Sequence, residues 1–316
     1  MTWAPRGVRG ERGVRLVLTS LHAAALSLWL LGCAKEDAPA PVAAASSAPA
    51  AASVRLDEEP PPSPSALPLG PSSASNPLGL PPRPLTLGAR KRVFAVPERV
   101  LSGARLGSTL ILAAATAVGP DGDELLLEGS AGSGPYRIHG AYVIPVPEGQ
   151  RIGPGDAVIT EHNGTLRHAI VTRLVKDRVG LRYTDGDTRA PESLLRDARM
   201  IEAREGLHPG NYAARRDGDS FRHVLLVSSF GQGEAEKWLA LGYGGAALVV
   251  PRSELVPIPV RYEPKVGAEV WGEWVGTLRK GAVVSSPERG FYVVKFERSG
   301  PPVTLGWGLL LPPIPN

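Results

Sequence analysis

The chain has 316 residues, 43% of them hydrophobic and 21% charged, with a formal net charge of +4. Its single cysteine, Cys33, excludes an internal disulfide and a thiolate metal set. Residues 1–32 hold four Arg against Glu11 and so carry +3 of that charge, which leaves the remainder near +1 and gives no electrostatic case for nucleic acid.

Arg6, Arg9, Arg12 and Arg15 precede the apolar run Leu16–Leu31, which spans 16 residues and contains Thr19, Ser20 and His22. A permanent span needs roughly 20 apolar residues. A basic start, a short apolar stretch and a cut site describe a secretory signal over 1–32. The end of the run, Leu30-Leu31-Gly32-Cys33, resembles a bacterial lipobox, in which the cysteine is lipidated and becomes the first mature residue. That resemblance implies a membrane partner reached through Cys33. With Ala34 next to it, it also implies an outer-membrane lipoprotein facing the periplasm. An ordinary signal peptide, or an uncleaved anchor, is the alternative.

Residues 33–88 are rich in Ala, Pro and Ser, including Pro60-Pro61-Pro62 and Pro81-Pro82-Arg83-Pro84. So few apolar and aromatic residues cannot offset chain entropy, which predicts a disordered tether. In extended polyproline form it would reach on the order of 170 Å at about 3.1 Å per residue.

From Arg92 onward, short apolar runs such as VLLV, AALVV and FYVVKF alternate with Gly, Asp and Pro, with no long helical period. The expected fold is all-β, a series of repeats. GTLRHAIV (164–171) returns as GTLRKGAV (276–283). Aligned on Gly155, Gly210 and Gly267, each repeat has an Arg twelve residues on (Arg167, Arg222, Arg279), then His168, His223 or Lys280. An apolar-x-aromatic triplet follows: Leu181-Arg182-Tyr183, Leu241-Gly242-Tyr243 or Val294-Lys295-Phe296. Two repeats close alike, ELVPIP (254–259) and LLPPIP (310–315), and Ala141–Pro147 closes a decayed first copy opened by Gly107–Ile111. Such a period marks arrays of small modules. The predicted units are 89–149, 150–205, 206–260 and 261–316. Each is too small for a thick core, so neighbours should share apolar surface.

At LRYTDGDT (181–188), following GDAVI and LRHAIV, the second of these units resembles the Tudor and agenet group of SH3-like barrels, and VGAEVWGEWVGTLRKGAVV with GFYVVKF in the last is similar. The resemblance covers about Gly155–Ala203 and Gly267–Pro313; the third unit fits less well. It implies tandem five-stranded SH3-like or Tudor-like barrels, with the Asp-Gly step as the turn after the third strand. It also implies an aromatic cage in which a cation sits against ring faces. The matching positions are Tyr183 and Asp185 in one unit and Trp271, Trp274 and Phe296 in the other. Ile159 and His162 stand where Trp271 and Trp274 stand, so the 150–205 unit lacks a full cage. The alternative is that the aromatics of the last unit, Trp307 included, build its core.

No catalytic set emerges. GSAGSG (129–134) lacks the spacing of a nucleophile elbow, and Gly231-Gln232-Gly233 is followed by Glu236, whose charge opposes a pyrophosphate. Register with the other repeats instead makes Lys237–Tyr243 a strand. Asp121-Gly122-Asp123-Glu124 lacks the ligand ladder of a calcium loop and reads as a hairpin turn. His168 and His223 match in position, but separate barrels should hold them far apart, as polar residues at strand edges. No metal, cofactor or catalytic residue is predicted. The expected function is a non-enzymatic envelope protein presenting the barrels to a protein, peptide or glycan. A ligand-free spacer or scaffold is the alternative, and a hydrolase assembled between modules a third.

Overall fold

The computed structural model describes residues 73–85, 87, 91–103, 110–118, 123–128, 134–185, 189–194, 199–297 and 300–314. Residues 1–72, with Cys33, and residues 119–122 and 129–133 lie outside them. The described residues form twenty strands, so the fold is all-β, and the one α-helix among them, Glu98–Leu101, is a single turn. No described helix is long and apolar enough to cross a membrane.

The strands fall into four sets of five. The first set is β1 (Lys91–Ala95), β2 (Ile111–Val118), β3 (Glu124–Glu128), β4 (Tyr136–His139) and β5 (Val143–Pro145). The second is β6 (Ala157–His162), β7 (Thr165–Val175), β8 (Arg178–Tyr183), β9 (Arg189–Leu194) and β10 (Met200–Glu202). The third is β11 (Tyr212–Asp217), β12 (Ser220–Phe230), β13 (Lys237–Leu241), β14 (Ala247–Pro251) and β15 (Leu255–Pro257). The fourth is β16 (Glu269–Trp274), β17 (Thr277–Glu288), β18 (Phe291–Phe296), β19 (Val303–Gly306) and β20 (Leu310–Leu311). In every set the four leading strands form an antiparallel meander, and the fifth returns to pair with the first. That return curls each set into a small barrel-like unit.

The glycine register has a physical meaning. Gly155, Gly210 and Gly267 all adopt positive φ (87°, 90° and 86°) just before the first strand of their repeat. Each donates its N–H to the carbonyl sixteen residues on, Val171, Leu226 or Val283, at 2.7–2.8 Å. Each of those residues donates back to the residue after the glycine. In all three repeats the second strand then bulges directly beyond this point, at 171/173, 226/228 and 283/285. A bulge bends a strand and raises its twist. The bent second strand pairs with the first strand only before the bulge, and with the third strand from just before the bulge to beyond it.

Three expectations need correction. Residues 73–85, read as the end of the tether, pack on the first repeat. Asn76 closes a turn with Leu80 through both its amide groups, at 2.8 and 2.9 Å, and Leu80 is buried. Arg83 donates to the Gly140 and Val143 carbonyls, so a proline-rich stretch becomes a strap by bonding to backbone. Gly107–Ile111 does not open the first repeat. Its first strand is β1, and Ile111 starts the second strand after a long connection that carries the Glu98–Leu101 turn of helix. Finally, Ala240 pairs within the bulge register where Leu181 and Val294 do, which puts Gly242, not Tyr243, level with Tyr183 and Phe296. Tyr243 stands one residue further, in the turn.

The repeats join in pairs through their second strands: β2 meets β7 at Ile111↔Thr165, and β12 meets β17 at Phe221↔Leu278 and Arg222↔Thr277. The result is two ten-stranded sheets. Small cores lie inside the second repeat (Val158, Val171, Leu181, Tyr183) and the third (Leu226, Trp238, Ala240, Val250). A larger apolar cluster draws on all four repeats, from Phe94 and Ile138 through Ile170 and Leu241 to Phe291 and Trp307. Ser228, fully buried, donates to the Ala141 carbonyl at 2.6 Å and ties the third repeat to the first.

The glycine positions give a ranked expectation. A Cβ on Gly267 meets nothing within 4 Å, so Gly267→Ala carries backbone strain alone, about 1–3 kcal/mol. A Cβ on Gly210 would also stand 2.6 Å from Ile159 Cδ1. Urea denaturation should show Gly210→Ala to be the more destabilising of the two; equal losses would mean that this contact relaxes freely.

Candidate functional site

The strand pattern brings the predicted aromatic residues into two separate groups. In the second repeat Tyr183 ends β8 and is buried, with its hydroxyl donating to the Glu161 carbonyl at 3.3 Å. The His162 ring lies 4.5 Å from it, and Arg167 covers it from 5.9 Å. Arg167 also pairs with Asp185 at 3.3 Å, in the turn after β8. Burial pushes the Tyr183 phenol up to about 12, Glu161 and Asp185 adding to the effect and Arg167 opposing it.

In the fourth repeat Trp274 and Phe296 meet edge to face at 5.5 Å, with the Arg279 guanidinium 5.7 Å from the Trp274 ring. His162 and Trp274 are equivalent by register, as are Arg167 and Arg279. Both repeats thus hold a ring pair under the landmark arginine. In the third, where Gly242 replaces the strand-end aromatic, Asp217 takes the place of His162, and Arg222 bonds it at 2.8 Å. That bond holds the exposed Asp217 carboxyl below its usual range.

Trp271 does not join Trp274. Their separation along β16 puts them on opposite faces of the sheet. Trp271 packs edge to face on Phe221 of the third repeat, 5.4 Å away, under Lys280. Phe296 is buried, while Trp271 and Trp274 are half-buried. The chain's own Arg279 and Lys280 thus lie over indole faces that a cage would offer to a ligand cation.

Spacing gave no hint of a third group. His168 and His223, expected far apart, both pack on Tyr212, each ring 4.3 Å from it, His168 stacked and His223 tilted. The second and third repeats abut here, because Gly210 admits Ile159 beside it. His168 is buried, not at a strand edge, and its Nε2 donates to the Gly210 carbonyl at 2.7 Å, which fixes the tautomer. Its Nδ1 faces Gly308 of the fourth repeat. Three repeats therefore converge on this stack.

Burial lowers His168 to about 4, the Gly210 carbonyl opposing it. Burial also lowers His223 to about 3, with His168 contributing and the Gly308 backbone opposing. Tyr212 is raised, by burial first and then by Asp185 and Glu273, while Arg167 opposes. Glu273 is raised by burial, although the Gly276 N–H bonds its Oε1 at 2.8 Å. Two neutral imidazoles and a neutral phenol form a structural junction. Among the described residues no cluster of three or more His, Cys, Asp or Glu could hold a metal ion.

Neither a protein-family model nor a curated protein sequence matches the chain.

The junction implies acid sensitivity. Both imidazoles are neutral when folded, whereas in the unfolded chain they take protons below about pH 6.5. The unfolded state then binds more protons, so their contribution is complete above that pH and declines as pH falls toward 4. The raised Glu273 acts in the opposite sense at the acid end, so denaturation between pH 7.5 and 5.5 isolates the histidines. His168→Phe should flatten this dependence; a slope unchanged by it would place the proton uptake elsewhere.

Proposed function

We propose that the chain is a non-enzymatic, lipid-anchored envelope protein whose four repeats act together as an interaction module. The lipobox-like Leu30–Cys33 supports the anchor, and Ala34 favours the outer membrane facing the periplasm. The bulged second strand and the return of the fifth strand to the first fit the SH3-like, Tudor-like likeness of the second and fourth repeats.

One observation carries the binding role. The fourth repeat keeps its ring pair half-open to solvent at Trp274, beside exposed Arg279, and so offers a large indole face where the second repeat has only the smaller, half-buried imidazole of His162. Aromatic residues and arginine are enriched at interaction surfaces. The partner is a protein, peptide or glycan of the envelope. A spacer or scaffold reading is favoured by a different fact: Trp271 is wedged against Phe221, where it helps hold two repeats together.

Palmitate labelling compared with Cys33→Ala tests the anchor, which predicts label only on the wild type. Pull-down from detergent-solubilised envelopes tests the role. Loss of one partner on Trp274→Ala, with the fold retained, is the expected outcome. An unchanged partner profile in both Trp271→Ala and Trp274→Ala would leave the scaffold.

A further inference from the structure

The three short turns that join first to second strands are not equivalent in strain. In the second repeat Asn163-Gly164, closed by His162↔Thr165, has φ of 53° and 82°. In the fourth, Val275-Gly276, closed by Trp274↔Thr277, has φ of 50° and 75°. These are the same turn, in which both central residues need positive φ. Asparagine tolerates that region, whereas a β-branched residue there is an outlier. The third repeat uses Gly218-Asp219. Only the fourth places an apolar, strained side chain at the tip, and Val275 is 58% exposed.

A second unsheltered side chain stands beside it. Tyr243, 64% exposed, leans over Gly276 so closely that a Cβ there would be 2.2 Å from its own Cβ. Trp274 forms the base of this prong. Arg279, exposed over the Trp274 ring, makes no ion pair among the described residues. Strain retained at an exposed apolar tip points to a contact made there, since burial of Val275 in the fold does not explain it.

We infer that the Val275–Tyr243 prong touches a lipid surface bearing anionic headgroups. Two apolar tips fall well short of the roughly 800 Å² per partner that a stable protein interface buries. Shallow insertion needs no complementary surface, and tyrosine, tryptophan and arginine suit the boundary between acyl chains and headgroups. A tether to the same membrane would raise the local concentration enough for a weak contact to persist; to that extent the inference rests on the anchored reading above.

The chain purified from envelopes, with its tether and any lipid on Cys33 retained, is mixed with vesicles of phosphatidylcholine and a minority of phosphatidylglycerol, with plain or brominated acyl chains, and the vesicle-bound fraction is recovered by flotation. The signal is the bromine quenching that disappears on Trp274→Phe, which removes contributions from the other tryptophans. Quenching in the wild type is expected, with most of it lost in Val275→Asn and in Tyr243→Ser, and reduced when phosphatidylglycerol is omitted. Val275→Asn should at the same time raise Tm by roughly 2–4 °C, as relief of one strained turn does in a body of this size.

Floated protein without Trp274-dependent quenching overturns the inference while leaving the anchor intact. Failure to float at all overturns both. Quenching that survives Val275→Asn, or a Tm that does not rise, removes the prong as its cause. A raised Tm with no quenching would instead assign the strained tip to a cleft in a partner protein.

Discussion

A meander of five short strands cannot cover both faces of its own sheet, and the form of this chain follows from that shortage. The second, third and fourth repeats each shield one face by bending the second strand at the bulge, which in the second repeat wraps the outer strands around a handful of side chains such as Val158, Val171, Leu181 and Tyr183. The other face must be covered by a neighbour. Pairing β2 with β7, and β12 with β17, supplies part of the cover, and the cluster that runs from Phe94 to Trp307 supplies the rest. Apolar area removed from water contributes about 25 cal/mol per Å², so a shared core stabilises what four thin cores could not.

The sequence made legible those features that recur because backbone geometry demands them. Gly155, Gly210 and Gly267 stand out since each must reach positive φ and bond a carbonyl sixteen residues away. The landmark arginines follow because the same pairing register holds them at one place on the second strand. The closing Pro-rich motifs mark fifth strands, with the short 3-10 turns at Gly140–Tyr142 and Arg252–Glu254 just before two of them. The all-β character could be read from short apolar runs broken by turn residues.

What escaped the sequence depended on contacts between repeats or on a shift of a single residue. A triplet pattern could not distinguish Leu241-Gly242-Tyr243 from its counterparts, because the Gly242–Gly245 hairpin ends β13 one residue early. The first repeat hid its second strand behind a long connection, so the glycine rule had no purchase there. His168 and His223 looked like surface residues because the partner that buries them, Tyr212, belongs to no motif. The strap was missed for a related reason: composition predicted disorder for a stretch whose order comes from the carbonyls of Gly140 and Val143.

The junction around Tyr212 shows why a shared core would keep polar rings at its centre. Apolar side chains of the same volume would remove as much surface from water, yet they would allow one repeat to slide against the next. A hydrogen bond from His168 Nε2 to the Gly210 carbonyl is directional, and it joins a strand of the second repeat to the glycine that sets the register of the third. Packing both imidazoles against one phenol ring then fixes the rotation between the two units. Gly308 brings the fourth repeat against the same imidazole, since only a residue without a Cβ, and with φ of +79°, leaves His168 its place. The cost is that both rings must stay neutral, so the feature that aligns the repeats is also the one that acid disturbs first.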